Sequence, residues 1–382
     1  MNAAAAAVPV ISAWTAVSPL GLSGADFTTG LRSGRKAGTP LDPEEWSVPF
    51  QEACLVPGFH IRQILGRKGT RSMDRATGLA VTALRALLHG EHGEHGRHGD
   101  EGDNGGAGER LPGVGEHTGL ALGTSTGSAQ SIMDFTRDSL VSERPFFVDP
   151  ARFPNTVMNC AAGQSAIWHG LKGPNTTIAG GRATGLLALQ YALRLQRAGR
   201  AGPVLCGAVE EFSSARAWLE WHARADEDAT AVLGEGAAVW LLEPEAAAAE
   251  HGRRALAEVA GLEFGCAPDP DAVRTVLADA IRRLLDRTGV APGEVRMLAD
   301  SAAPGAEGAA ERSALADAFD GRQPPMISAA DLIGDTCAAS AAFQIAAVLA
   351  LAERKDLAPG GHALVTSVDR DGVVGAALLR IR

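Results

Sequence analysis

The segment with the clearest chemical shape is Gly170-Leu171-Lys172-Gly173-Pro174-Asn175-Thr176-Thr177-Ile178-Ala179-Gly180-Gly181-Arg182-Ala183-Thr184-Gly185. It reads as a short strand over Thr176–Ala179 that stops at two glycines and turns sharply into a helix from Arg182 to Ala198. Such an elbow holds one side chain above a helix N-terminus, where the dipole favours developing negative charge. An enzyme would place Cys or Ser there. This chain places Arg182.

The other side chains able to do chemistry are dispersed. Five cysteines (Cys54, Cys160, Cys206, Cys266 and Cys337) show no metal-ligand spacing, and their odd number and scatter predict reduced thiols in a cytoplasmic protein. Cys160 lies among the small residues of Asn159-Cys160-Ala161-Ala162-Gly163 and is expected to be a packed thiol. Cys337 starts the last long helix, where a thiol pKa can be lowered. His169 and His222 lack metal-ligand partners at useful spacing, and Trp218 and Trp221 read as core or interface packing. His89, His92, His95 and His98 fall in a Gly/Glu/Asp-rich stretch, about residues 89–116, read as a flexible surface insertion with incidental imidazoles. Neither a metal nor a cofactor is expected.

The elements that must position the elbow alternate strand and helix. Buried strands are predicted at Val8–Ile11, Thr118–Gly123, Pro203–Val209 and Ala237–Glu243, with helices at Asp74–Leu88 and Gly127–Val141. An Ala/Glu-rich boundary near Glu245–His251 divides residues 1–248 from 249–382. The second part offers strands at Ala257–Phe264, Met297–Ala299, Met326–Ser328 and Ala363–Ser367. Helices near Asp271–Arg287, Ala309–Phe319 and Cys337–Glu353 alternate with them. This is an α/β architecture in two halves.

Composition excludes several classes. Of the 382 residues, 46% are hydrophobic and 21% charged, which suits a globular core. The net charge of -10 and the lack of a long Lys/Arg run argue against a nucleic-acid partner. Met1–Val8 is an alanine run with no cationic start and does not read as a signal peptide. The apolar Cys337–Ala352 stretch is broken by Ser340 and Gln344 and reads as a buried helix, with no membrane span expected.

The elbow resembles that of the condensing enzymes, the ketosynthases of fatty-acid and polyketide assembly. Lys172-Gly173-Pro174 and Ala183-Thr184-Gly185 match the flanks of their nucleophile turn, which puts the family's cysteine at Arg182. Val10–Gly21, with its Ser18-Pro19-Leu20-Gly21 turn, is similar to their N-terminal strand and turn. Leu122-Gly123-Thr124-Ser125-Thr126-Gly127 resembles their Gly/Ser run, and Gly234-Glu235-Gly236-Ala237 their Gly-Glu-Gly-Ala motif. The resemblance spans the chain apart from the His-rich stretch. It implies a thiolase-like, five-layer αβαβα fold of two similar halves.

The resemblance also implies that the catalytic set is gone. Counting back from Glu311-Arg312-Ser313-Ala314-Leu315 puts one family histidine at Asp300; the second matches Asp335, and the family lysine matches Ala330. Val368-Asp369-Arg370-Asp371-Gly372 replaces the Gly-Phe-Gly-Gly loop, and Cys337 matches a noncatalytic position, hence core. Claisen condensation needs a thiolate and donors for the enolate. Decarboxylating relatives keep both histidines, and this chain does not. Arg182, Asp300 and Asp335 are expected to meet as a buried ion cluster plugging the former site, since an arginine at a helix N-terminus needs anions beside it. The alternative is that the three point separately into solvent.

Dead members of this family look like chain-length factors. The resemblance therefore implies a heterodimer with an active ketosynthase subunit, in which this subunit limits the tunnel that receives the polyketide. The carrier protein bearing the chain is expected to dock mainly on the partner, because carriers and this chain are both acidic. In the helix after Gly127, where the family's tunnel residues fall, Met133, Thr136 and Leu140 share one face. The bland reading of those three is ordinary core or interface packing. The rival readings are a homodimeric thiolase-fold acyl-binding protein or an acyltransferase with an unrecognised nucleophile, a purely structural partner, and an acyl-chain sensor.

Overall fold

Nearly uninterrupted runs of small and aliphatic residues make the strands of the central sheet, in keeping with elements covered on both faces. They are β1 (Pro9–Val17), β2 (Gly119–Gly123), β3 (Asn175–Ile178), β4 (Val204–Glu210), β5 (Gly236–Pro244), β6 (Ala257–Cys266), β7 (Val295–Ala299), β8 (Met326–Ile327), β9 (His362–Val368) and β10 (Val373–Ile381). These come from a computed structural model, which describes residues 8–90, 110–224 and 231–382. His92, His95 and His98 lie outside the described residues. The final strand β10 has no counterpart among the predicted strands. It is buried along most of its length and pairs with both β9 and β6.

The sheet runs β8-β7-β9-β10-β6-β1-β5-β4-β2-β3. Each half has the same plan: β3, β2 and β4 lie parallel, with β5 and then β1 antiparallel beyond them. β8, β7 and β9 lie parallel, with β10 and then β6 antiparallel. The halves join through Val10 and Ile11 of β1 against Glu258 and Ala257 of β6.

The helices are α1 (Gly24–Ser33), α2 (Arg75–His89), α3 (Ala129–Val141), α4 (Cys160–Trp168), α5 (Thr184–Arg197), α6 (Ser214–Ala223), α7 (Val273–Thr288), α8 (Gly305–Ala318) and α9 (Ser340–Glu353). Three hydrophobic clusters show how they stack. Residues of α2 and α4 pack on one face of β2, β4 and β5. Residues of α5 and α9 fill the middle, with contacts from both half-sheets. Residues of α7 and α8 cover the outer face of β7, β9 and β10. The result is the five-layer αβαβα order of the expected fold.

The middle layer sets the position of the elbow. Every residue of α9 from Ser340 to Ala350 is buried, so it reads as apolar all round rather than amphipathic. Gly185 lets α5 lie close against it: a Cβ there would fall 2.6 Å from the backbone nitrogen of Ala342. Close approach of two buried helices aligns their N-termini at one end of the sheet. A smaller sheet, formed by Thr39–Pro40, Glu52–Cys54 and Leu233–Gly234, flanks that end.

Candidate functional site

The elbow forms where β3 ends and α5 begins. Thr184 ties it down: its Oγ1 accepts from the Gly180 amide at 2.9 Å and donates to the Gly181 carbonyl at 2.7 Å. Gly181 has φ +54°, and a Cβ there would lie 2.0 Å from the carboxyl carbon of Asp369. Only glycine combines that conformation with that contact. The next residue, Arg182, is held in the layer between the half-sheets with its side chain 5% exposed.

Two carboxylates meet it. Arg182 Nη2 donates to Asp335 Oδ2 at 2.6 Å, and Nη1 lies 4.0 Å from Asp369 Oδ1. The Arg182 backbone N–H donates to the same Asp369 Oδ1 at 2.9 Å. Burial pulls the Arg182 pKa down, but Asp335 in contact more than offsets this and raises it overall. Burial likewise pushes Asp335 up, and Arg182 wins, holding the carboxylate well below its usual range. Asp335 Oδ1 also accepts from the Cys337 amide at 2.8 Å, while its carbonyl accepts from Arg216 Nη2 at 2.9 Å. Arg216 is itself buried and spans to the carbonyls of Glu211 and Gly234 at 2.8 and 2.7 Å.

Asp300 is not part of this cluster, contrary to expectation. Its Oδ1 accepts from Ser328 Oγ at 2.5 Å, and burial followed by repulsion from Asp331 raises its pKa. The reason lies in strand length. β7 and β9 pair with Ala299 opposite Val365, but β9 continues to Val368. Those three further residues, about 10 Å of extended chain, carry Asp369 over the elbow. Asp300, directly after Ala299, falls short and turns toward β8. The sequence signal for Asp369 lay in the replaced loop Val368–Gly372, but which carboxylate reaches Arg182 depends on how far each strand extends. Ala330 sits half-buried on the short helix Ala330–Ile333 and brings no functional group.

The elbow presents a guanidinium where acyl transfer would need a thiol or hydroxyl. The elbow N–H, where an oxyanion would be held in acyl transfer, is occupied by Asp369. Cys337 has φ +43° at the start of the turn into α9, the topological counterpart of Gly181 before α5. Its pKa is raised, not lowered: burial and then Glu210 disfavour the thiolate more than the Arg216 cation favours it. Burial also pushes Cys160 to about 11 and Cys54 to about 12. His169 is buried against the Val81 carbonyl, and burial takes its pKa down to about 3. Among the described residues no group of three His, Cys, Asp or Glu is placed to hold a metal ion. No described helix is long and apolar enough to cross a membrane.

A second feature lies on the surface. In α3 only Ala129 is buried; Met133 is 54% and Leu140 78% exposed, and Thr136 is exposed beside them. The exposed apolar side chains continue through Val141, Phe146, Phe147, Phe153, Val157 and Met158. β3, the strand that feeds the elbow, is the edge of the sheet on the same half. Trp218 and Trp221 are also partly exposed; Trp218 stacks on His222 and Trp221 meets Phe50 edge-on.

Comparison with known proteins agrees with this geometry. The model of the beta-ketoacyl synthase N-terminal domain matches residues 9–248. The 3-oxoacyl-acyl-carrier-protein synthase 2 of Synechocystis is 27% identical over 289 residues, 69% of this chain and 65% of its own length. That of Vibrio cholerae is 26% identical over 280 residues, 68% of this chain and 63% of its own length. The matched region thus spans under two thirds of these curated relatives. Among solved structures, the ishigamide ketosynthase/chain length factor is 45% identical, with 98% of this chain and 99% of that one covered and a TM-score of 0.86. A beta-ketoacyl synthase from Burkholderia phymatum, 22% identical with 98% and 100% covered and a TM-score of 0.80, shares the fold.

Proposed function

We propose, from the premise that this chain belongs to the beta-ketoacyl synthase family, that it is a noncatalytic chain-length factor of a type II polyketide synthase. The observation that carries this reading is Arg182 at the nucleophile position, locked there by Asp335 and Asp369. At the elbow an arginine stands in place of the nucleophile, its backbone N–H is taken by Asp369, and the two family histidine positions hold Asp300 and Asp335, so the chain acts through a partner that has the catalytic set. The solved ketosynthase/chain length factor at 45% identity supports the same role.

The partner is an active ketosynthase subunit, joined in a heterodimer. The bare side of α3 and the edge strand β3 support this assignment of the interface. So many large apolar side chains left exposed over residues 133–158 are what a partner-binding surface offers. Within the heterodimer, Met133, Thr136 and Leu140 face the path of the growing polyketide, and their bulk limits its length by steric exclusion. The acyl carrier protein delivers its chain to the partner; the net charge of -10 on this subunit disfavours docking of an acidic carrier here.

The test is co-expression with the ketosynthase of the same biosynthetic locus, followed by native mass measurement. A one-to-one complex is expected. A homodimer that ignores the ketosynthase would refute the proposal in favour of an independent acyl-binding protein. Acylation of the isolated chain by an acyl thioester would instead reveal a nucleophile elsewhere.

A further inference from the structure

We infer that the elbow is a carboxylate-binding site that the chain keeps filled with its own Asp369. Three kinds of donor converge there: the Arg182 backbone N–H, the Arg182 guanidinium and the N-terminal end of α5. Asp369 Oδ1 takes the first at 2.9 Å and stands 4.0 Å from the second. Its carboxyl group fills the space a Cβ on Gly181 would need, with the side chain 5% exposed. The donors are not exhausted: Arg182 Nε is buried and has no hydrogen-bond partner, on a side chain that is itself 5% exposed. A buried guanidinium with a spare N–H beside a helix N-terminus is a receptor for small anions, and for planar carboxylates above all.

This explains why an arginine is tolerated at the elbow. Left empty, the same donors would draw in free carboxylates, including those of short acids and of hydrolysed acyl chains. Asp369, delivered by the turn between β9 and β10, excludes them as an internal competitor. The turn itself uses the other oxygen: Asp369 Oδ2 accepts from the Asp371 amide at 3.2 Å, a local contact a hydroxyl can also provide. The inference stands whether or not the chain pairs with a ketosynthase.

The two roles of Asp369 are separated by comparing Asp369→Ala with Asp369→Ser, the serine retaining an acceptor for the turn while lacking a carboxylate. Thermal melts are run in sodium acetate and in sodium chloride at equal ionic strength, with the partner subunit present if the chain requires one. Wild type should melt alike in both salts. Both variants should melt lower in chloride and rise in acetate by about 1–3 °C at an acetate concentration roughly tenfold above its dissociation constant. Titration calorimetry should find one acetate site per variant chain and none in wild type. Should Asp369→Ala fail to fold, the serine variant decides. An Asp369→Ser protein that melts with wild type and ignores acetate would make Asp369 a turn residue only, and acetate binding equally to wild type would place the site elsewhere.

Discussion

Replacing Arg182 with methionine removes the buried charge while keeping much of the side-chain volume. The carboxylates left behind cannot turn to water, since the side chains of Asp335 and Asp369 are 11% and 5% exposed. Deleting one partner of a buried ion pair costs about 3–5 kcal/mol. Arg216 also lowers the Asp335 pKa and remains in place, which puts the expected loss near the lower end, about 3 kcal/mol. At about 2.1 cal/mol/K of unfolding entropy per residue, that is a fall in Tm of roughly 4 °C for a chain of 382 residues. The pH dependence gives a second readout. In wild type the folded pKa of Asp335 is depressed. Its contribution is therefore present above the unfolded carboxylate pKa of about 3.9 and lost as pH falls through the folded value. Without Arg182, burial is opposed only by weaker partners, and a folded carboxylate pKa rises above the unfolded one. The variant then gains stability by taking up a proton, so its Tm deficit should narrow from about pH 8 to about pH 5. Adding Asp335→Asn should recover roughly half the loss. Scanning calorimetry at several pH values measures all three effects. An Arg182→Met protein that melts with wild type, or a deficit constant across that range, would refute the view of this cluster as an essential buried ion pair.

Met133→Ala widens the proposed tunnel and should lengthen the polyketide made by the reconstituted complex; unchanged product mass would remove Met133 from the boundary. Glu235 accepts from Arg75 Nε at 2.6 Å and from the amides of Val56 and Phe212 at 2.8 and 3.1 Å. Glu235→Ala should therefore cost about 3–5 kcal/mol in urea unfolding. Burial and then Asp300 raise the pKa of Glu311 to about 7, above its unfolded value. Its contribution is full below the unfolded pKa of about 4.3 and declines as pH rises through about 7. Glu311→Gln should flatten the corresponding fall of Tm with rising pH, and an unaltered slope would count against that titration.

Much of this architecture is legible in local patterns. Strand and helix positions near the elbow follow from apolar periodicity and from paired glycines, and the structure moves most of their ends by only a residue or two. The Ala129–Val141 helix begins two residues later than its apolar pattern suggests because Ser128 caps it through the Ser131 amide. Helices α4 and α6 carry weaker signals. The first is a short run of small residues starting at Cys160, and the second exposes Trp218 and Leu219 where a core-facing stripe would hide them. Met133 and Leu140 share a helical face in the sequence, but their spacing is equally that of core residues. Exposure in the folded chain is what distinguishes them.

By itself the sequence determined that an arginine stands where the turn into a buried helix would present a nucleophile, because that turn is written in adjacent residues. It also determined that strands and helices alternate in two halves, since periodicity is local. Tertiary structure alone decided which carboxylates reach the arginine. Asp369 lies 187 residues along the chain from Arg182, and the longer reach of β9 past β7 chooses it over Asp300. Ion-pair partners are selected by distances of a few ångströms, and such distances are set by how strands and helices pack, not by their order in the chain.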